Sequence, residues 1–333
     1  MTDTSFAFRR RTLLAGAVGA LAMPRIGAAQ GVEKIRLLLD WGWLPYHSSF
    51  LLAQEKGYFR DAGVEVEVEQ GRGSNTTAII VGQRGYDMGH VNITNATAAA
   101  AKGVPLKTVA VYQHRTAASF VGIKGRVSLT GPDSLKGLKI GSTPGGSDGL
   151  SLSVFRRSNN IPESALNIIS LDASSKTAAL LTGQVDVVSG DSHAYRAIVQ
   201  GARHEPEVME LASFGVPLLG FGFVANEQAI RDKPEAIRRT LTAMRRAMAE
   251  VAADTEAACT LIRGKVQVAG NQAQCVNYTK GLQALSQPPQ DPNWGRSTEA
   301  EWTALVETLT AAGEIRGQRP LGSYYTNDLL PKG

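Results

Sequence analysis

Segments that predict β-strands alternate with helical segments along most of this chain, and this alternation constrains its fold more than any other feature. Residues 34–39 (KIRLLL) form an apolar run typical of a strand that is covered on both faces. Residues 64–68 place valine at every second position, between glutamates, which is the period of a half-exposed strand. A helical pattern over residues 50–60 lies between the two. A strand, a helix and a strand in this order predict an α/β fold with parallel strands.

The alternation occurs in two sets, which predict two lobes. It runs to about residue 112, starts again near residue 120 and becomes mainly helical beyond residue 221. The chain has 333 residues, enough for two separate cores. We predict a two-lobed α/β protein with a discontinuous first domain, two chain crossings that form a hinge, and an interlobe cleft for a ligand. Lobe I comprises residues 30–117 and 224–333, and lobe II comprises residues 118–223.

The first thirty residues predict export. Arg10 and Arg11 begin a twin-arginine pattern, an apolar run follows over residues 13–23, and residues 27–29 are small, as a signal peptidase requires. The apolar run is shorter than the about 20 residues that span a bilayer. We therefore predict a cleaved signal peptide at residues 1–29 and a periplasmic protein.

The charge of the remaining chain is nearly balanced. Of the 35 basic and 30 acidic side chains, four and one lie in the first thirty residues, which leaves 31 and 29. A surface this balanced gives no electrostatic reason to expect nucleic acid as a partner. The two cysteines, Cys259 and Cys275, are either paired in an oxidising compartment or present as two buried thiols. The cysteine and histidine spacings predict no metal site.

Four segments carry a resemblance to a known family, in matching order across nearly the whole mature chain. They are residues 37–68 (LLLDWGWLPYHSSFLLAQEKGYFRDAGVEVEV), 86–110 (YDMGHVNITNATAAAAKGVPLKTVA), 134–149 (SLKGLKIGSTPGGSDG) and 324–331 (YYTNDLLP). They resemble the periplasmic binding proteins of ABC importers for sulfonates, nitrate and thiamine-pyrimidine precursors, with the pyrimidine-precursor branch the most similar. The resemblance implies a monomeric type II periplasmic binding protein that hands a small solute to a membrane permease with its ATPase.

The same branch includes a fungal enzyme that makes the thiamine pyrimidine from a pyridoxal cofactor and its own histidine. The resemblance aligns the cofactor lysine of that enzyme with His90 and Val91, and its consumed histidine with Asn95. The cysteine cluster of the enzyme has no counterpart at residues 218–224. Without an amine at this position a Schiff base cannot form there, so we predict a binding protein with no cofactor and keep the synthase as the alternative of another class.

An aromatic loop follows the first predicted strand, at the sheet edge where α/β proteins bind ligands. Its Trp41, Tyr46 and His47 can stack on a planar heterocycle and hydrogen-bond its ring nitrogens, unless Tyr46 or the nearby Trp43 packs beneath the loop. Short polar side chains follow the next strand, predicted at residues 86–89. These are the ligand candidates Asn92, Thr94 and Asn95, the last two also candidate caps of the following helix.

Lobe II contributes two further groups. Gly146 and Ser147 precede a predicted helix, whose free backbone N–H groups suit a polar or anionic group, although Asp148 beside them would repel an anion. Asp191 and His193 follow the strand predicted at residues 185–189. Asp191 can accept a hydrogen bond from an exocyclic amine or cap the next helix.

The predicted solute is therefore small, planar and polar, such as a thiamine pyrimidine precursor. The alternative solutes are a sulfonate, nitrate or an aromatic carboxylate. A Ser192, His47 and Asp191 hydrolase is disfavoured because no G-x-S-x-G turn is present.

Overall fold

Two five-stranded sheets form the framework of this protein in a computed structural model, which describes residues 1, 32–144, 146–268, 270–317 and 319–331. The predicted signal peptide lies outside the described residues apart from Met1. The strands are β1 (Glu33–Leu38), β2 (Val64–Glu69), β3 (Met88–Asn92), β4 (Leu106–Val111), β5 (Ala118–Ile123), β6 (Lys139–Ser142), β7 (Asn167–Ser170), β8 (Val187–Asp191), β9 (Pro206–Glu210) and β10 (Phe221–Asn226).

Each sheet follows the same plan. The first sheet has the order β2-β1-β3-β10-β4 and the second the order β7-β6-β8-β5-β9. In each sheet the fourth strand of this order, β10 or β5, runs antiparallel to both of its neighbours. The remaining pairs are parallel. The chain leaves the first sheet after β4, builds the second and returns with β10. This is the discontinuous, two-lobed α/β architecture that the alternating pattern predicts.

The helices cover both sheets. They are α1 (Ser48–Glu55), α2 (Tyr58–Asp61), α3 (Ser74–Gly82), α4 (Ile93–Ala101), α5 (Ser147–Ser158), α6 (Ala173–Thr182), α7 (Ser192–Gly201), α8 (Glu227–Asp232), α9 (Pro234–Ala253), α10 (Thr255–Lys265), α11 (Gln272–Gln283) and α12 (Glu299–Ala311). Proline stands in the first turn of α9, where the missing N–H removes no helical hydrogen bond. Across the described ranges, none of these helices is both long and apolar enough to cross a membrane.

Two strands differ from the prediction. β10 lies where a helical region was expected, because its residues FGFVAN form a short apolar strand that is buried between β3 and β4. Gly222 permits this position, since a Cβ there would lie 2.3 Å from the carbonyl oxygen of Ala110. β10 begins at residue 221, so the chain re-enters the first sheet before residue 224, the limit predicted for lobe I. β9 is an edge strand that starts at Pro206, a position where proline costs no ladder hydrogen bond.

A third difference affects the candidate site. The strand predicted at residues 86–89 is β3, which extends to Asn92, and α4 begins at Ile93. The polar residues His90 and Asn92 suggested a loop, yet both are buried in the sheet. Both ring nitrogens of His90 have partners inside the protein, which removes the cost of burying them, whereas Asn92 lies at the wall of a cavity.

Helix α11 contacts both halves of the molecule. It packs against α7, which follows β8 of the second sheet, and against the aromatic loop of the first. The contact with α7 is close, because a Cβ on Gly281 would lie 2.4 Å from Nδ1 of His193. A disulfide between Cys259 and Cys275 joins α11 to α10. Of the two states that the sequence left open, the cysteines adopt the paired one.

Candidate functional site

A cavity of about 670 Å³ lies between the two sheets. Its walls come from loops and helix starts that follow β1, β3, β6 and β8, and from α11. Loops beyond the carboxyl ends of strands are the usual ligand position in open α/β sheets. The functional side chains along it are Asp40, Trp41, Tyr46, Asn92, Phe221, Ser147, Lys176, Asp191, Tyr195, Gln274 and Tyr278.

Asp40 is the most strongly partnered carboxylate of this cavity. It is buried just beyond the end of β1 and accepts hydrogen bonds from Tyr46 Oη at 2.6 Å, His47 Nε2 at 2.9 Å and His90 Nδ1 at 2.8 Å. Burial alone would raise the pKa of Asp40, but the attraction of His47 and the hydrogen bonds from both histidines hold it well below its usual range. Asp40 is therefore a carboxylate at neutral pH.

The donors around Asp40 form one consistent network. His47 Nδ1 accepts a hydrogen bond from the backbone N–H of Leu44, so its Nε2 carries the proton that Asp40 receives. His90 Nε2 lies 2.6 Å from the hydroxyl of Tyr112, which can donate while Nδ1 donates to Asp40. Burial lowers the pKa of His47, and burial, with the charge of Asp40, raises the pKa of both Tyr46 and Tyr112. Tyr46, His47 and Tyr112 are therefore favoured in their neutral forms.

The same cluster has the composition of a metal site. One atom each of Asp40, His47 and His90 lies within 4.8 Å of the others. Two imidazoles and a carboxylate are common zinc ligands. The sequence spacing did not predict this group because its members come from β3 and from two positions around the aromatic loop. In this structure His47 Nε2 and His90 Nδ1 both hydrogen-bond to Oδ1 of Asp40.

Two of the three candidates from the aromatic loop line the cavity. Trp41 and Tyr46 are in its wall, whereas His47 is fully buried behind them and contacts Asp40. His47 does not line the cavity, and both of its ring nitrogens are engaged within the protein. Trp43 lies outside the lining and packs edge-on against His47.

Of the polar residues on β3 and α4, only Asn92 lines the cavity. Thr94 is buried and donates to the backbone carbonyl of Leu219 at 2.9 Å. Asn95 is also buried, away from the cavity lining. The placement of Thr94 and Asn95 follows from the longer β3, since both residues now lie inside α4 rather than in a loop. Val91 and Asn95 are both buried. As valine and asparagine, they do not offer the amine and the imidazole that the fungal cofactor chemistry needs.

In the second half, the turn before α5 lines the cavity through Gly146 and Ser147. Asp148 next to them is held by the backbone N–H of Thr143 and by Nζ of Lys176, both at 2.8 Å. Lys176 also donates to the backbone carbonyl of Ser189 at 2.8 Å. This buried ion pair, which sequence spacing did not predict, neutralises the charge of Asp148 at the start of α5.

Asp191 lines the cavity at the end of β8 and also caps α7. Its Oδ1 accepts a hydrogen bond from the N–H of Ala194 at 2.9 Å. Burial raises the pKa of Asp191 to about 7, against the opposing effect of the backbone donors Ala194 and His193. The His193 side chain lies against α11 and is not in the cavity lining. His193 lies outside the lining because the first turn of α7 packs against α11 there.

Tyr278 and Gln274 on α11 complete the cavity, and no sequence feature pointed to them. Burial raises the pKa of Tyr278 well above its usual value, with further contributions from the charges of Asp191 and Asp40. Tyr278 thus lies near both carboxylates, one from each half. The hydrolase arrangement is not present, because His47 is bonded to Asp40 and Ser192 Oγ has no hydrogen-bond partner among the described residues.

This chain is similar in sequence to proteins named for pyrimidine phosphate synthesis or thiamine biosynthesis. Over 109 residues, 33% of this chain and 32% of the relative, the sequence is 33% identical to 4-amino-5-hydroxymethyl-2-methylpyrimidine phosphate synthase THI11 of Saccharomyces cerevisiae. It is 29% identical to a putative thiamine biosynthesis protein of Haemophilus influenzae, over 60% of this chain and 64% of that one. The chain thus spans about a third of the fungal relative and less than two thirds of the bacterial one.

The fold is shared more widely than the sequence. The periplasmic aliphatic sulphonate binding protein SsuA of Escherichia coli superposes with a TM-score of 0.67 at 14% identity, covering 87% of this chain and 91% of SsuA. At this identity the likeness establishes the two-lobed periplasmic-binding-protein fold alone. The family model described as NMT1/THI5 like matches residues 44–258, which include most of the first sheet and all of the second. This chain belongs to the NMT1/THI5-like family.

Proposed function

We propose that this protein is the solute-binding component of an ABC importer and that it binds a small, planar, uncharged or basic heterocycle of the aminopyrimidine type. One observation carries the proposal: a single cavity between the two sheets is lined by a carboxylate from each half, the buried Asp40 and the half-buried Asp191, together with aromatic side chains. A solute that contacts both walls favours the closed arrangement, because it gains contacts there that an open cleft lacks.

The chemistry of the walls matches that of an aminopyrimidine. Such a ring presents an exocyclic amine as a donor, ring nitrogens as acceptors, and two flat faces. Asp191 accepts two backbone hydrogen bonds and keeps free lone pairs for an amine. Trp41 and Tyr195 supply aromatic surface from the first and second half.

The charges of the cavity disfavour the anionic alternatives. Among the described lining residues, three are acidic and one is basic: Asp40, Asp148, Asp191 and Lys176. Because Lys176 is already paired with Asp148, it offers little charge to a sulfonate, nitrate or carboxylate. Like charges in a low-dielectric cavity would oppose an anion further. These observations support a heterocycle over the anionic solutes.

The synthase alternative lacks its reactive groups in the aligned positions. His90 and Val91, aligned with the cofactor lysine, carry no amine, and Asn95, aligned with the consumed histidine, carries no imidazole. Lys176 is the one lysine in the described lining, and its Nζ is engaged by Asp148 and Ser189. If the protein were an enzyme of this type, pyridoxal phosphate would bind with an absorbance band that borohydride reduction abolishes. We expect no such band.

Export and partners extend the proposal. The twin-arginine pattern at residues 10–11 and the fold of the periplasmic protein SsuA support a periplasmic location. A disulfide between Cys259 and Cys275 suits an oxidising compartment. The partners would be a membrane permease and its ATPase, which receive the solute from the protein as a monomer.

Calorimetric titration of the mature protein tests the proposal. A 4-aminopyrimidine with a 5-substituent should bind, whereas an alkanesulfonate, nitrate and an aromatic acid should not. The Trp41→Ala variant should lose affinity about tenfold or more through lost stacking, and Trp43→Ala, outside the lining, should keep the affinity within about threefold. Binding of the sulfonate alone, or equal effects of the two variants, would contradict the proposal.

A further inference from the structure

A second cavity of about 230 Å³ lies next to the main one. Its walls come from α9, α11 and the loop between α11 and α12. Tyr46 and Gln113 line both cavities, so these two side chains stand between them. The proposed solute-binding function makes no use of this second cavity.

The second cavity opens to solvent at one end. Its rim residues Ala252, Pro288 and Gln290 are exposed, whereas Leu282 and Trp294 at its other end are buried. A void left by imperfect packing would be enclosed on all sides, and a molecule in solution could not enter it. This cavity is accessible from the surface and closed at its base, as a binding site is.

Whereas charged side chains line the main cavity, the second cavity has uncharged walls among the described residues. None of its described lining residues is charged, and its apolar surface comes from Met248, Val251, Leu282, two prolines and aromatic rings. An ion placed there would lose its hydration without a partner, which is strongly unfavourable. The walls therefore select against charged molecules.

Most polar groups in these walls are already engaged. Gln113 Nε2 donates to Ser286 Oγ at 3.1 Å, and Gln287 Oε1 accepts from the N–H of Gly295 at 2.9 Å. Two groups differ: Trp294 Nε1 and Ser49 Oγ are buried and have no hydrogen-bond partner among the described residues. An occupant with one hydrogen-bonding group fits this pattern better than a strongly polar molecule or a pure hydrocarbon.

The volume limits the occupant to about one ring. An apolar cavity of about 150 Å³ is large enough to hold benzene, and pockets for drug-sized molecules begin at about 300 Å³. At about 230 Å³ this cavity lies between the two. We propose that it is a second ligand site, separate from the interlobe cleft, for a small uncharged aromatic molecule that carries one hydroxyl or other hydrogen-bonding group.

Ligand-observed NMR on the mature protein, with benzyl alcohol as the probe, tests this proposal. Benzyl alcohol should give saturation transfer, and benzoate and benzylammonium should bind at least tenfold more weakly. The variant Ala252→Trp should fill the rim and reduce benzyl alcohol binding at least tenfold. Ala253→Trp is the matched control, because Ala253 is also exposed but lies outside the lining. Binding should persist in this control and in Trp41→Ala, which alters only the main cavity.

Three results would overturn the proposal: no binding of benzyl alcohol, equal binding to Ala252→Trp and the unmodified protein, or loss of binding in Trp41→Ala. Circular dichroism and thermal unfolding would establish that each variant is folded. Gln290→Trp, on the loop side of the same rim, provides a second block if Ala252→Trp is unfolded. Because the probe differs from the aminopyrimidine used for the main cleft, either proposal can fail alone.

Discussion

Asp40 and Asp191 line the same cavity from opposite halves, yet their pKa values move in opposite directions. Asp40 accepts hydrogen bonds from three side chains and has a pKa well below its usual range. Asp191 accepts only from the backbone at the start of α7, and burial raises its pKa to about 7. Burial acts on both carboxyl groups in the same direction, so the difference comes from their donors. One wall thus carries a fixed charge and the other carries a charge that pH can change.

Removing each carboxylate should affect stability very differently. Asp40→Asn replaces an ionised acceptor with an amide and leaves His47 and His90 without their charged partner. We expect the free energy of unfolding to fall by about 3 kcal/mol, because three buried donors lose a charged hydrogen-bond acceptor. Asp191→Asn keeps a good helix cap and removes a carboxyl group whose burial opposes ionisation, so the free energy of unfolding should stay the same or rise. Urea unfolding at pH 7 measures both, and equal losses would contradict the difference between the two sites.

Solute binding should depend on pH through Asp191 alone. A neutral aminopyrimidine whose amine donates to Asp191 needs the ionised carboxylate, which increases as the pH rises through about 7. The affinity should therefore increase about thirtyfold between pH 5.5 and 8.5, because the ionised fraction of one group with a pKa of about 7 rises from about 3% to about 97%. In Asp191→Asn the affinity should be lower and nearly independent of pH. A pH dependence that survives in this variant would assign the titration to another group.

The stability of the protein should also depend on pH through Asp191. The pKa of Asp191 is raised on folding, so its carboxylate binds a proton more tightly in the folded state than in the unfolded state. Its contribution to stability is complete below an unfolded pKa of about 3.9 and is lost as the pH rises to about 7. Asp40, with a lowered pKa, contributes in the opposite sense: its contribution is present above about pH 3.9 and is lost as the pH falls toward its folded pKa.

Urea unfolding of the unmodified protein and of Asp191→Asn at pH 5 and pH 8 measures this effect. Other groups titrate in both proteins, so the difference between them isolates Asp191. The unmodified protein should lose more stability than the variant between the two pH values. An identical change in the two proteins would place the folded pKa of Asp191 near its usual value.

The strand and helix pattern predicted most of the framework because these elements are local. Residues 64–68 show their period of two, and β2 occupies Val64–Glu69. β10 was missed because a six-residue segment with five buried positions, one of them glycine and one alanine, carries little periodicity. Only its neighbours β3 and β4 make the segment a strand. His90 and Asn92 misled the prediction of β3 because a polar side chain in a strand is explained only by its partner.

The candidate site was predicted in chemical type more than in placement. Asp191 ends β8, and Trp41 and Tyr46 lie in the loop that follows β1, so the sheet edges bring them to the cavity. His47 has the expected imidazole but points to Asp40, and His90 joins the same carboxylate from another strand. Gln274 and Tyr278 lie far along the chain, and their place depends on how α11 packs on α7. Such long-range contacts leave no local pattern in the sequence.

The position of α11 determines where the two halves can part. The bond from Cys259 to Cys275 ties α11 to α10, which packs on α1 beside the first sheet. If the halves separate, α11 stays with the first, and its tight contact with α7 at Gly281 and His193 must be given up. The line of separation therefore runs between two helices as well as through the strand crossings. A solute would then enter past a helical surface that the closed molecule conceals.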